Sequence, residues 1–145
     1  MSESVEPLRD PVPVVTEPVP DVQLQLLVRL LGDELRSSLP VTLNIPSGVL
    51  SGELISHEAW KAEWARSLRQ VEGGGANLIA NFPETVDQGL DELAAEDGPQ
   101  SLPRWIHLRD ATLVAGGPHA VTLPLWRGRL ADVSGWALGR PREHA

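Results

Sequence analysis

Residues 123–139, LPLWRGRLADVSGWALG, decide the fold that the sequence predicts. Apolar residues recur there between polar or small ones, at Leu130, Val133, Trp136 and Leu138. This spacing is typical of short β-strands. Glycine inside such a run marks a bend or a close backbone approach, because it has no side chain to clash. We therefore predict a strand, a tight bend at Arg127 and Gly128, and a second strand of a small β-barrel.

The partner of this segment lies upstream, in residues 40–56, PVTLNIPSGVLSGELIS. Both halves of this stretch alternate between apolar and polar side chains, which predicts two antiparallel strands with a turn at Gly48 between them. Gly52 predicts a bulge or a strong bend in the second strand. Residues 105–114 alternate again. The chain is therefore expected to hold four or five strands, and its fold class is mainly β with helices (α+β).

Composition predicts how the chain is divided. The first twenty residues hold five prolines and four acidic residues, which is typical of a disordered, Pro-rich tail. Asp21 and Ser56 are expected to cap two helices, the first of which has a broad apolar arc. The chain is expected to divide into a disordered tail at 1–20, a single barrel domain at 21–140 and a C-terminal tail at 141–145. The barrel domain contains a helical insertion at 57–103.

Charge and cysteine content narrow the function classes. The chain has 145 residues, no cysteine, a net charge of −8 and a pI of about 4.9. Disulfides and thiolate metal sites are excluded, and the acidic total argues against nucleic-acid binding, which needs a basic surface. The sequence has no secretion signal and no apolar run long enough to span a bilayer. We therefore expect a cytoplasmic protein that makes no membrane contact.

The candidate binding residues come from the segment quoted first, because tryptophan and arginine are enriched where proteins bind one another. They are Trp126, Arg127, Arg129 and Trp136. The alternative is that these side chains form a solvated rim of the barrel. Four glycines are expected to be structural: Gly48, Gly52, Gly128 and Gly135.

The sequence predicts no catalytic residue, no cofactor and no metal site. The four histidines, His57, His107, His119 and His144, do not have the spacing of zinc ligands. The three consecutive glycines at 73–75 are not followed by the Lys-Ser/Thr of a phosphate-binding loop. No serine has the flanking pattern of a nucleophile elbow.

Residues 41–56, together with residues 106–111 and 126–139, resemble the gas vesicle accessory protein family GvpU in their order and spacing. The family pattern contains no catalytic motif. The resemblance therefore implies a small, non-enzymatic, cytoplasmic protein that associates with gas vesicles and acts in their assembly, clustering or regulation. The implied partners are the vesicle shell or other accessory proteins.

The same blocks resemble, more distantly, the Sm-like/SH3-like barrel, in which a helix precedes a strongly bent five-stranded sheet. That resemblance implies an alternative function as an Sm-like RNA-binding regulator. A third hypothesis, a small enzyme with scattered site residues, ranks below the gas vesicle role and the RNA-binding role. The apolar arc of the leading helix and the exposed strand edges predict a homo-oligomer. The alternative is that this helix is wholly buried within one subunit.

Overall fold

The computed structural model describes residues 19–71, 74–94 and 102–142, and they form an α+β fold. Four helices and five strands follow one another in the order α1 (Val22–Leu31), β1 (Leu39–Ile45), β2 (Gly48–Ile55), α2 (His57–Arg69), α3 (Gly74–Ala80), α4 (Phe82–Ala94), β3 (Trp105–Val114), β4 (Ala120–Arg129) and β5 (Gly135–Leu138). Most of the predicted tail, residues 1–18, and the last three residues lie outside the described residues.

The five strands form one antiparallel sheet in the order β4-β3-β2-β1-β5. The first four strands are neighbours in chain order, and β5 returns to pair with the free side of β1. Within the described residues β4 and β5 do not pair with each other, so the sheet is open. The predicted α+β class is therefore confirmed, whereas the predicted closed barrel is not.

The larger core lies on the side of the sheet that α1 covers. Leu24 of α1 is fully buried against strand residues such as Leu43, Leu50 and Leu108. A second, smaller core lies where α2 packs, and it joins Ile55 with Trp60. Because successive residues of a strand point to opposite faces, the sheet can bury apolar side chains on both sides.

The two predicted helix caps are present. The Asp21 carboxylate accepts hydrogen bonds from the backbone N–H groups of Gln23 and Leu24, at 2.8 and 3.1 Å, and α1 begins at Val22. The Ser56 hydroxyl accepts from the N–H of Ala59 at 3.0 Å. Capping of this kind satisfies N–H groups that the first turn of a helix leaves without partners.

The bend predicted at Arg127 and Gly128 lies further along the chain. Gly128 is inside β4, and the chain turns only after Arg129, through a 3-10 turn at Leu130–Asp132. Position 128 has no room for a side chain, because the indole ring of Trp126 lies where a Cβ would be. Leu130 and Val133, predicted as strand residues, are instead buried at this turn.

The other three glycines occupy tight places in the sheet. Gly48 has a φ of +143°, and a Cβ there would overlap the carbonyl oxygen of Val114. Gly52 lies at a register shift between β2 and β3, but the extra residue is on β3, where Asp110 has a φ of +50°. The bulge predicted in β2 at Gly52 is therefore in the neighbouring strand, and a Cβ at Gly52 would lie 3.1 Å from the carbonyl oxygen of Arg109. Gly135 lies beside the side chain of Asn44 on β1. None of the helices in the described part of the chain has the length and apolar character to cross a membrane.

Candidate functional site

Five charged or titratable side chains meet between α2, α4 and the sheet, and we call them the polar cluster: His57, Lys61, Asp87, His107 and Arg127. The first two lie one helical turn apart on α2, since residues four apart share a face of a helix. His107 and Arg127 are direct cross-strand partners on β3 and β4. Asp87 comes from α4, so the cluster joins α2, α4 and the sheet.

His107 lies at the base of the cluster and is only 3% exposed. Its Nε2 accepts a hydrogen bond from Nε of Arg127 at 3.2 Å, which requires that this nitrogen carry no proton. Burial, followed by the nearby charges of His57 and Arg127, lowers the pKa of His107 from 6.5 to about 3. The imidazole is therefore neutral at physiological pH.

His57 connects His107 to α4. Its Nδ1 lies 3.1 Å from Nε2 of His107, and its Nε2 lies 2.8 Å from a carboxylate oxygen of Asp87. The Asp87 carboxylate is an acceptor, so Nε2 of His57 donates in that contact. His57 therefore links His107 of the sheet to Asp87 of α4.

Lys61 holds α4 against α2. Its ammonium lies 2.7 Å from Asp87, 2.8 Å from Glu84 and 2.9 Å from Glu58. Burial alone would lower the pKa of Lys61, but the hydrogen bonds to the three carboxylates outweigh it and raise the pKa above its ordinary value. Asp87 responds in the opposite sense, because hydrogen bonds from Lys61 and His57 outweigh its burial and lower its pKa.

Two cavities lie on either side of the polar cluster, and we call them together the α4 cleft. The larger has a volume of about 460 Å³ and is lined by Trp105, Arg104 and Leu90 as well as by the cluster residues other than Lys61. The smaller, about 130 Å³, has aromatic walls that include Trp60, Trp64 and Phe82. His57, Asp87 and Arg127 line both cavities.

Arg127 lies at the junction of the two cavities. The carbon of its guanidinium is 3.9 Å from the centre of the Trp105 ring, a distance typical of a cation–π contact. Desolvation of its inner side lowers the pKa of Arg127 below its ordinary value. Among the described residues, no carboxylate oxygen lies within 4.0 Å of its guanidinium nitrogens.

The four predicted binding residues are not brought together. Trp126 and Arg127 are adjacent in β4 and point to opposite faces of the sheet, Trp126 packing on the larger core. Arg129 pairs with Asp132 at 2.9 Å. Trp136 lies against the larger core and lines a groove beside α1. Only Arg127 belongs to the α4 cleft.

The sequence carries little signal for most of the cluster. Lys61 is the single lysine of a chain that otherwise uses arginine, and this is the one signal that would have singled it out. His57 and Asp87 carry no such signal, because 30 residues separate them along the chain. The alternation of residues 105–114 predicts that His107 lies in a strand, but it does not predict which side chains His107 contacts.

The arrangement of the cluster does not fit a metal site. Within residues 19–71, 74–94 and 102–142, no three histidine or acidic side chains are arranged to hold a metal. The nitrogens of His57 and His107 do approach each other, but the guanidinium of Arg127 lies 3.2 Å from the same His107 nitrogen. Its positive charge would repel a cation at that point.

Comparison with known proteins gives one match. A family model described as "Gas vesicle protein GvpU-like" matches residues 21–141, which is most of the chain. No curated protein matches, and no solved structure does.

Proposed function

This chain belongs to the GvpU-like family of gas vesicle proteins, and from that membership we propose that it is a non-enzymatic accessory protein that self-associates to assemble or cluster gas vesicles. It would act in the cytoplasm, on the vesicle shell or on other accessory proteins. The observation that carries self-association is an apolar face of α1 that nothing in the described part of the chain covers.

The uncovered face of α1 holds three apolar side chains spaced four residues apart. Val22, Leu26 and Leu30 are 53, 50 and 82% exposed. A groove beside them is lined by Leu26, Leu30 and Trp136 of β5. Exposed apolar surface of this kind is typical of protein–protein contact sites. Within one copy of the chain the predicted apolar arc is thus only half buried. The side around Leu24 packs on the sheet, and the side with Val22, Leu26 and Leu30 does not.

The sheet offers a second reason for self-association. Its two edges, β4 and β5, have unpaired backbone groups, and such edges favour pairing with another chain. If β4 of one copy pairs with β5 of the next, each contact is head-to-tail, and a closed ring results when the rotation closes. Val121, 52% exposed on β4, would then meet the apolar face beside β5. The strand order β4-β3-β2-β1-β5 and the helix α1 before it support the resemblance to Sm-like proteins.

RNA binding, the alternative function, has less support. The arginines near the C-terminus do not form a free basic patch, since Arg129 pairs with Asp132 and Arg140 lies 3.4 Å from Glu53. The chain as a whole carries a net charge of −8. Phosphate neutralisation by basic residues supplies most of the affinity of non-specific nucleic-acid binders.

The test combines oligomeric mass with vesicle clustering. We expect the mass of the wild type, measured by light scattering over a concentration series, to rise with concentration. We also expect the protein to gather purified gas vesicles into clusters, which float faster than single vesicles. Leu30→Glu should abolish both effects, because it places a charge in the apolar contact. The matched control is Leu78→Glu on α3, since Leu78 is 83% exposed. A wild type that is monomeric at every concentration would contradict self-association.

A further inference from the structure

The junction of the α4 cleft is formed by a cation without a carboxylate partner. The contacts of Arg127 are the neutral imidazole of His107 and the face of Trp105. Arginine presents a planar fork of donors that matches a carboxylate with two parallel hydrogen bonds. Asp87 lines the same junction, but its carboxylate oxygens are in contact with Lys61 and His57. The guanidinium of Arg127 therefore keeps donors that an incoming carboxylate can use.

The smaller cavity supplies an apolar place next to that cation. Its volume of about 130 Å³ is close to that of cavities which bind a single benzene-sized ring, roughly 150 Å³. Trp60 lines it and is only 8% exposed, and Trp64 and Phe82 complete its aromatic wall. A ligand whose carboxylate lies beside Arg127 would therefore have an apolar site next to it, because Arg127 lines the same cavity.

We propose that the α4 cleft binds a ligand that joins a carboxylate to a ring-sized apolar group. The carboxylate pairs with Arg127, and the ring enters the smaller cavity between Trp60, Trp64 and Phe82. A free aromatic carboxylic acid and the C-terminal aromatic residue of a partner chain share this chemistry. The proposal does not depend on the role of the protein in gas vesicles.

The first experiment compares two probes that differ in charge alone. Phenylacetate and its neutral isostere phenylacetamide are titrated into the full chain, with binding followed by calorimetry and by the fluorescence of the cavity tryptophans. We expect phenylacetate to bind at least about 10-fold more tightly, because a hydrogen bond to a charged group contributes more than one to a neutral group. Equal binding of the two probes, or no binding of either at about 10 mM, would overturn the proposal.

Three variants locate the site. Arg127→Gln should weaken phenylacetate binding about 10-fold or more, because it removes the charged donor. Trp60→Phe keeps an aromatic ring but enlarges the smaller cavity, so the ring of the ligand fits less closely and binding should weaken. The control is Arg129→Gln, on the same strand but paired with Asp132 and outside both cavities. Undiminished binding in both Arg127→Gln and Trp60→Phe would refute the site.

A peptide arm identifies the source of the ligand. A short peptide that ends in phenylalanine with a free carboxylate is compared with the same peptide amidated at its C-terminus. Tighter binding of the free peptide than of phenylacetate would assign the cleft to a partner's C-terminus, and the reverse order would assign it to a small molecule. An amidated peptide that binds as well as the free one would overturn the role of Arg127.

Discussion

At Gly128 the space beside the backbone is filled by the indole ring of Trp126, so any side chain there must displace that ring. We expect Gly128→Val to lower the free energy of unfolding by about 1–3 kcal/mol, the usual cost of inserting extra atoms into a packed region. Chemical denaturation measures this. Gly117→Val is the control, because a Cβ at Gly117 has nothing within 4 Å. Equal losses in the two variants would mean that the contact with Trp126 is unimportant.

His107 makes the stability of the protein depend on pH. Its pKa is about 3 in the folded protein and 6.5 in the absence of the fold, so between these values the unfolded chain binds the additional proton. Stability is therefore fully present above pH 6.5 and is lost as the pH falls toward 3. We expect this histidine to cost about 2 kcal/mol between pH 7.5 and pH 5.

Urea denaturation at pH 7.5 and pH 5 tests this dependence. His107→Gln should lose less stability than the wild type between the two pH values, whatever its stability at either one. His119→Gln serves as the control, since His119 is exposed. If His107→Gln and the wild type lose the same amount of stability, then burial of the neutral imidazole is not the cause.

At the scale of elements, Lys61 ties α4 to α2. Its ammonium contacts carboxylates from both helices, Glu58 on α2 and Glu84 and Asp87 on α4. We expect Lys61→Met to remove the ammonium from all three carboxylates and to leave Asp87 with His57 alone. Hydrogen exchange of the α4 amides should then be about 5- to 30-fold faster, corresponding to about 1–2 kcal/mol of local stability. Amides of the sheet should exchange as before.

The control for Lys61→Met lies on the same helix. Arg66 pairs with Glu63 at an exposed position of α2, three residues apart, and surface pairs of this kind contribute little to stability. Arg66→Met should therefore leave exchange in α4 unchanged. Unchanged exchange in α4 for Lys61→Met as well would mean that apolar contacts, rather than the polar cluster, hold this helix.

The sequence predicts those features of the elements that depend on nearby residues. Asp21 and Ser56 cap helices because capping depends on residues a few positions away, and strand alternation is equally local. The polar cluster depends on separations of 30 residues between His57 and Asp87 and 50 between His57 and His107. The bend is wrongly predicted at Gly128 for a different reason: the ring of Trp126 requires the glycine, and the turn begins only at Leu130.

For the whole molecule, net charge and apolar surface act in opposite directions on self-association. Every copy carries a net charge of −8, so copies repel one another, whereas the contact proposed at α1 and β5 is apolar. Raising the salt concentration from about 0.02 M to about 0.5 M shortens the range of that repulsion from roughly 20 Å to roughly 4 Å. We therefore expect added salt to strengthen self-association.

Light scattering at fixed protein concentration over a salt series measures this effect. The oligomeric mass of the wild type should rise with salt, and Leu30→Glu should remain monomeric throughout, since the charge that it introduces lies in the apolar contact itself. Dissociation of the wild type on adding salt would show that ion pairs hold the copies together, which contradicts the apolar interface. Binding to RNA would weaken over the same series, because added salt competes with counterion release. The direction of the salt effect thus separates the proposed function from its alternative.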